Sequence, residues 1–306
     1  MRLQPLARRR LAGLGAAGES WLAALPGLLD ELEQEWGVRV ERRSLPGGSN
    51  GLVAPATTAD GQARVVKVAA PGVDLARQAE VLGAAAGRGH VRLHAHDRRR
   101  QALLLDGLGR SLAQTPLPVE DVVAALTATL VEAWAAPAPP LPARVRDRAA
   151  DLARGLDDLA ARSEHDASPA VLDHARRCAA RRSAAHDPAR CVVAHGDAHP
   201  ANLLRAPDAP TGWLLVDAEG TVAERAYDVG VALRDLSSAL QEPPTAAGRL
   251  RGWCVQAAAA TGTDPDAVWD WAFLERVSTG LYVTSIGSRA VGRPMLTSAA
   301  AVLAGR

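Results

Sequence analysis

The hydrophobic periodicity of the chain changes near residue 107. Before this point, apolar and polar residues alternate in short runs separated by glycine-containing turns, which is typical of antiparallel strands. A helical pattern over 20–36 leads this part of the chain, and another over 74–86 interrupts it. Beyond residue 107, apolar residues recur at helical spacing in long segments. The pattern predicts an α+β fold with a small β-rich lobe over residues 1–107 and a larger, mainly helical lobe over residues 108–306.

The same periodicity predicts the individual elements. Strands are predicted at 38–45, 52–58, 62–69, 91–96, 101–106, 191–194 and 213–216. Helices of the second lobe are predicted at 119–134, 143–162 and 169–183, and the remainder of the chain is helical in pattern with proline and glycine breaks.

Composition excludes several classes of protein. The formal net charge is +1, which gives no electrostatic basis for binding nucleic acid. No stretch approaches the ~20 apolar residues that a membrane span needs. The three cysteines are scattered without a C-x-x-C pair, which favours a reducing, cytoplasmic location over a disulfide framework. The pattern specifies no oligomeric state.

Lys67 is the one lysine of the chain, and arginine supplies the other 34 of its 35 basic side chains. It lies in a strand-like run that follows the glycine loop at 46–51. Lysine is a compact point charge on a flexible stem, whereas guanidinium is a wide planar fork, and nucleotide phosphates often require the former. Two explanations of Lys67 are open. It binds phosphate, or it is one lysine that by chance was not replaced as the composition of the chain drifted toward arginine. The glycine loop likewise fits either a phosphate cradle or a plain hairpin turn.

The densest chemical signal is the segment 193–204, where polar side chains lie between two apolar strands. Asp197 and Asn202 are five residues apart, and Asp217 follows at the end of the next apolar strand. Phosphoryl transfer needs a carboxylate that accepts the proton of the attacking hydroxyl, together with hard oxygen donors for magnesium. Asp197, Asn202 and Asp217 can fill these places, with Lys67 as the cation on the phosphates.

These segments resemble the aminoglycoside phosphotransferase family, which has a protein-kinase-like fold. Within it, the chain is most similar to the branch of streptomycin 6-phosphotransferases and hydroxyurea phosphotransferases. The resemblance is carried by His-Gly-Asp-Ala-His-Pro-Ala-Asn at 195–202, Leu-Val-Asp-Ala-Glu-Gly at 215–220 and Ala-Tyr-Asp-Val-Gly at 226–230. It implies a cleft between the lobes for ATP and Mg²⁺, and transfer of the γ-phosphoryl group to a hydroxyl of a small molecule.

The resemblance also implies roles for individual residues. Asp197 would be the catalytic base, and Asn202 and Asp217 would bind magnesium. The residues expected at the nucleotide are Lys67, Glu80 as its ion-pair partner, Gly48 and Ser49 of the glycine loop, and the backbone of Asp106 and Leu108. A solvated charge on the helix surface is the alternative for Glu80. Asp228 would brace the catalytic loop.

The acceptor is the least specified part of the prediction. Glu219, Asp235 and Glu275 are candidates for an acceptor site, because a cationic antibiotic such as streptomycin requires carboxylates near Asp197. Hydroxyurea and other small metabolites are alternative acceptors. Two alternatives come from other classes: a metallohydrolase built on His195, Asp197 and His199, and a nucleotide-binding regulator without catalysis.

Overall fold

The computed structural model describes residues 3–46, 50–162 and 164–305. They divide into two compact units. The first unit contains the chain up to Arg110 together with Leu204–Val216, and the second contains the rest. The lobe boundary predicted between residues 107 and 108 stays a prediction.

The first unit combines two leading helices with a five-stranded antiparallel sheet of strand order β1-β2-β3-β5-β4. Its elements are α1 (Pro5–Gly13), α2 (Ala16–Trp36), β1 (Val38–Val40), β2 (Gly51–Thr58), β3 (Ala63–Ala69), α3 (Ala76–Ala85), β4 (Leu93–Asp97), β5 (Ala102–Asp106), β7 (Leu203–Arg205) and β8 (Trp213–Leu215). Leucines of α2 and inward side chains of the central strands form its core, which includes Leu29, Leu32, Leu52, Val66 and Val68. Each such side chain contributes about 1.5–3 kcal/mol through burial.

The second unit is mainly helical. Its elements are α4 (Val119–Ala135), α5 (Arg148–Arg162), α6 (Pro169–Ala184), β6 (Cys191–Val193), β9 (Val222–Glu224), α7 (Arg225–Arg234), α8 (Pro243–Thr261), α9 (Pro265–Ser285) and α10 (Arg289–Ala304). Helix α9 is apolar on most of its faces, and its buried residues run from Ala267 to Leu281. It is therefore the helix around which the others pack.

Helices α7 and α9 approach each other closely at Gly230. A Cβ atom on Gly230 would lie 2.3 Å from the Cβ of Trp271 and 2.8 Å from the backbone nitrogen of Ala272. Only a glycine permits this separation, since any larger side chain would push the two helices apart. The contact fixes the position of α7, and with it the positions of Asp228 and Arg234 on that helix.

Most predicted elements are confirmed, with ends that differ by a few residues. The strand predicted at 38–45 is the main exception, because β1 ends at Val40. Residue 41 lies opposite Pro55 of β2, and proline has no N–H to donate to the ladder. Strands β7 and β9 were not predicted, since three residues are too few to show a period. Within the described ranges, no helix combines the length and hydropathy of a bilayer-spanning segment.

Candidate active site

Strands β6 and β9 hold the loop that carries Asp197. They pair antiparallel, with Val193 opposite Val222. The pairing continues beyond the strands, because Ala194 N–H donates to the Thr221 carbonyl and Glu219 N–H donates to the His195 carbonyl, each at 2.7 Å. The backbone before Asp197 is therefore fixed against the segment that follows Asp217.

Gly196 turns the chain into this loop with a φ of +90°. A Cβ atom at this position would lie 2.7 Å from Thr221 Oγ1 and 3.0 Å from Glu219 Cβ. Both the backbone conformation and the lack of space require glycine here. The turn directs the next residue, Asp197, away from the strand.

Asp228 braces the loop from below, as the sequence indicated. It is fully buried in the first turn of α7. Its carboxylate accepts the N–H groups of His195 and Gly196, each at 2.8 Å, and the indole N–H of Trp134 at 2.9 Å. A carboxylate at a helix N-terminus that also receives three hydrogen bonds is well compensated for its burial.

Asp197 lies among charged and polar partners. Its Oδ1 pairs with Arg234 Nη2, and its Oδ2 accepts from Asn202 Nδ2 at 3.0 Å and lies 3.5 Å from His199 Nε2. Burial opposes ionisation of Asp197, but the hydrogen bond to His199 and the charge of Arg234 outweigh it and hold the pKa well below its ordinary range. Asp197 is therefore a carboxylate throughout the neutral pH range.

Asn202 and Asp217 carry the kinds of oxygen donor expected at a magnesium site. The side-chain N–H₂ of Asn202 donates to the carbonyl oxygen and the carboxylate of Asp197, which orients the amide and leaves Oδ1 as an acceptor. Asp217 has a φ of +61°, a conformation that is strained for a residue with a side chain. An amide oxygen and a carboxylate are hard donors of the kind that Mg²⁺ prefers.

The two histidines that flank Asp197 contact the loop itself. Across the described ranges, no three His, Cys, Asp or Glu residues are grouped so as to hold a metal ion. His195 Nδ1 instead accepts the N–H of Asp197 at 3.2 Å, and His199 Nδ1 lies 3.1 Å from Asp235. Both histidines serve the shape and charge of the loop.

Arg234 was not singled out from the sequence. Its side chain is only 10% exposed and contacts three carboxylates at once. Nη2 pairs with Asp197, Nε lies 3.2 Å from Asp235, and Nη1 lies 3.4 Å from Glu275. Two of the three predicted acceptor carboxylates are thus linked to Asp197 through one guanidinium group.

Glu219, the third predicted acceptor residue, reaches solvent beside this cluster. Partial desolvation of its carboxyl group and the negative charge of Asp197 raise its pKa to about 7, although Arg148 and Arg234 oppose the shift. Glu219 is therefore held next to a site that already carries negative charge, and a bound cation would favour its ionised form.

The shift predicts the pH dependence of stability. The folded protein binds the Glu219 proton more tightly than the unfolded chain, so this group lowers stability as pH rises from about 4.5 to about 7. In EDTA, Glu219→Gln is expected to gain stability relative to the parent protein between pH 5 and pH 8. Because solvent screens an exposed group, the relative gain is about 1 kcal/mol or less. Urea unfolding at several pH values measures it, and parallel curves for the two proteins would contradict the assignment.

Lys67 lies on β3, opposite Leu103 of β5. Its Nζ donates to Gln78 Oε1 at 2.9 Å, and Gln78 is buried. The expected ion pair with Glu80 is corrected by this contact: Glu80 is exposed and pairs with Arg77 at 3.3 Å. Residues two apart on a helix face nearly opposite directions, so only one of Gln78 and Glu80 can face the sheet.

The other predicted nucleotide contacts lie at the end of β5 and in the glycine loop. The Asp106 side chain lies 2.6 Å from His94 Nε2 and 3.4 Å from Arg64 Nη1, while its N–H donates to the Arg92 carbonyl. The backbone of Leu108 makes no hydrogen bond to the described part of the chain. Gly48 and Ser49 lie outside the described residues.

Comparison with known proteins identifies the family. Residues 36–287 match the model of the aminoglycoside/hydroxyurea antibiotic resistance kinases. The chain belongs to this family. It is 31% identical to a streptomycin 6-kinase of Streptomyces glaucescens over 75% of this chain and 73% of that protein. It is 30% identical to a hydroxyurea phosphotransferase of Kitasatospora aureofaciens over 72% of this chain and 64% of that protein.

Solved structures confirm the fold of this kinase. Choline kinase LicA from Streptococcus pneumoniae superposes with a TM-score of 0.60 at 13% identity, over 93% of this chain and all of the other. An aminoglycoside phosphotransferase from Streptomyces rimosus, solved with ADP and streptomycin, gives a TM-score of 0.51 at 17% identity, over 83% of this chain and 98% of the other. The predicted protein-kinase-like α+β class is therefore confirmed.

Family membership also decides the class of activity. The chain is a phosphotransferase with an alcohol group as acceptor, as the sequence predicted. The metallohydrolase and the non-catalytic regulator are both set aside, since the family consists of kinases.

Proposed function

We propose that this kinase transfers the γ-phosphoryl group of ATP, with Mg²⁺, to a hydroxyl of a streptomycin-like aminoglycoside. The streptomycin 6-kinases among its relatives support this acceptor. The hydroxyurea phosphotransferase among them supports hydroxyurea as a second candidate.

The observation that carries the proposal is the group of carboxylates around Asp197. Glu219, Asp235 and Glu275 all belong to it, and Arg234 with Arg148 and His199 balances it only in part. Glu219 and Asp235 reach solvent and are placed to attract a cationic acceptor, whereas Glu275 is buried and contributes through Arg234. A strongly cationic aminoglycoside gains more from this site than neutral hydroxyurea does.

Asp197 is the proposed catalytic base. Its low pKa makes it a weak base in the free enzyme, so its main contribution is to orient the acceptor hydroxyl for in-line attack. It accepts the proton as the hydroxyl becomes acidic during transfer. The carboxylate then returns the proton to solvent after product release.

The remaining proposed roles concern the nucleotide. Lys67 contacts the phosphates, the backbone of Gly48 and Ser49 supports them, and the backbone of Asp106 and Leu108 contacts adenine. Asn202 and Asp217 hold Mg²⁺, which when bound neutralises charge on the phosphate oxygens. In this proposal, residues 1–107 are the nucleotide-binding lobe, and residues 108–306 carry the catalytic loop and the acceptor site.

We also propose that the enzyme works in the cytoplasm, where ATP is available. Its three cysteines are free and buried, which agrees with a reducing compartment.

An ATP-consumption screen tests the acceptor. Streptomycin, other aminoglycosides, hydroxyurea and simple sugars are compared at equal concentration, and phosphorylated product is identified by mass spectrometry. Phosphorylated streptomycin is the expected result. Glu219→Gln should raise KM for streptomycin, with Asp208→Asn as the matched exposed control. Turnover with hydroxyurea alone would replace the first candidate with the second.

Lys67→Arg is expected to impair transfer although it preserves the charge. The guanidinium fork cannot reproduce the Nζ hydrogen bond to buried Gln78 or place a point charge on phosphate. A fall in kcat/KM for ATP of about 10-fold or more is expected, from the size of charge-assisted contacts. Arg39→Lys, at an exposed position of β1, is the control for an exchange of these side chains. Unchanged kinetics for Lys67→Arg would refute the role of the lysine.

A further inference from the structure

One helix contacts the catalytic loop at two points. Helix α7 presents Asp228 in its first turn to the backbone N–H groups of His195 and Gly196, and presents Arg234 at its last residue to the Asp197 carboxylate. The first contact fixes where the loop runs. The second fixes how the side chain of the base is turned.

The guanidinium group of Arg234 is itself held in one orientation. Its Nε and Nη1 atoms face Asp235 and Glu275, and the third corner of the fork, Nη2, faces Asp197. Glu275 lies on α9, which Gly230 brings into close contact with α7. Because guanidinium is planar and rigid, two anchored corners determine the direction of the third.

Arg234 contacts only one of the two carboxylate oxygens of Asp197. Asn202 Nδ2 bonds Oδ2 of Asp197, whereas Arg234 bonds Oδ1. With both oxygens directed, the free lone pairs of the carboxylate have a defined direction toward an incoming hydroxyl. Without Arg234, Asn202 and His199 would still contact Oδ2, but Oδ1 would lose its charged partner and the carboxylate could turn about that one held oxygen.

We propose that Arg234 is a positioning residue, which turns the Asp197 carboxylate toward the acceptor hydroxyl and is itself aimed by Asp235 and Glu275. This inference rests on the proposed role of Asp197 as base. It gives Glu275 a function although its side chain is buried.

A double-mutant cycle tests the inference. Arg234→Met should lower kcat by about 10- to 100-fold, the size expected from misplacing a catalytic group by about 1 Å, with KM for ATP changed less than about twofold. Combined with Asp197→Asn, it should add almost nothing, because Arg234 acts through Asp197. The acceptor is the one that the screen returns, and transfer of radiolabelled phosphate measures the slow variants.

Arg182→Met is the matched control. The Arg182 side chain, at 12% exposed, is nearly as enclosed as that of Arg234, but it pairs with Glu224 and Asp270. Any loss that it causes should multiply with the loss from Asp197→Asn. Multiplicative losses for Arg234→Met as well would overturn the positioning role and leave a structural one. If Arg234→Met does not fold, Arg234→Lys keeps the charge without the fork and enters the same cycle.

A crystal structure of the Arg234 variant provides a test that does not depend on the acceptor. The Asp197 carboxylate is expected to leave its present orientation and lose the Nδ2 bond to Asn202. An unchanged Asp197–Asn202 geometry would contradict the inference. Full activity of Asp197→Asn alone would instead contradict the proposed function, so the two failures are distinguishable.

Discussion

Asp197→Ala is expected to lose at least ~100-fold in turnover while it still binds ATP. The carboxylate orients the acceptor hydroxyl and accepts its proton, and removal of such a group typically costs a factor of 10² to 10⁴. ATP binding should persist because the residues proposed to contact the nucleotide phosphates and adenine are unchanged. Turnover with the identified acceptor and binding of a fluorescent ATP analogue measure the two properties separately.

The control for this variant addresses the partners that it leaves behind. Alanine would leave the Nη2 group of Arg234 and the amide of Asn202 without their acceptor. The loss of these contacts lowers stability for reasons unrelated to catalysis. Asp197→Asn keeps the shape and one acceptor oxygen, so it should fold better and remain almost as inactive. Near-normal turnover in either variant would remove Asp197 from its assigned role.

Asp228→Ala is expected to destabilise the protein by about 3 kcal/mol or more and to abolish turnover. It removes the acceptor of two buried backbone N–H groups and of the partly buried Trp134 indole. Each buried donor left without a partner costs about 1–3 kcal/mol. Urea unfolding and turnover, measured on the same preparation, test both effects.

Asp121 provides a matched control for Asp228. Both are acidic residues in the first turn of a helix, but Asp121 of α4 is exposed. Asp121→Ala removes a favourable charge at a helix N-terminus and should cost no more than about 1 kcal/mol. If the unfolding midpoint of Asp228→Ala lies as close to the parent value as that of Asp121→Ala does, the bracing role of Asp228 is refuted.

The contact between Asp197 and Asn202 could be predicted from the sequence because it depends on local spacing, whereas the chemical roles assigned to the loop stay predictions. Asp197 and Asn202 are five residues apart, so their contact follows from one turn of chain. Asp217 was marked by its place after an apolar strand, and Lys67 by its contrast with a chain otherwise rich in arginine. Asp217 and Lys67 were noticed because each differs from the residues around it: a carboxylate after apolar residues, and a lysine in a chain whose other basic residues are arginine.

Arg234 was missed for the opposite reason. In a chain with 34 arginines, one more in a helical stretch has no contrast, and its contacts to Glu275 and Asp197 join residues 41 and 37 positions away. The signal available was its position after the apolar run Val229–Leu233, where an unpaired charge would be costly. The prediction that Glu80 pairs with Lys67 chose the charged residue of α3. Gln78 lies on the opposite, buried face of this helix and is the residue that contacts Lys67.

The absence of a side chain at Gly230 has a consequence for how the protein can vary. A methyl group there would push α7 away from α9. Because Asp228 and Arg234 lie near the two ends of α7, the displacement would reach the catalytic loop and Asp197 through both residues. Substitutions at this contact between α7 and α9 should therefore appear in kinase assays as loss of catalysis, although they alter no reactive group. Changes at Glu219, which reaches solvent, can by contrast alter which acceptor is preferred without moving the base.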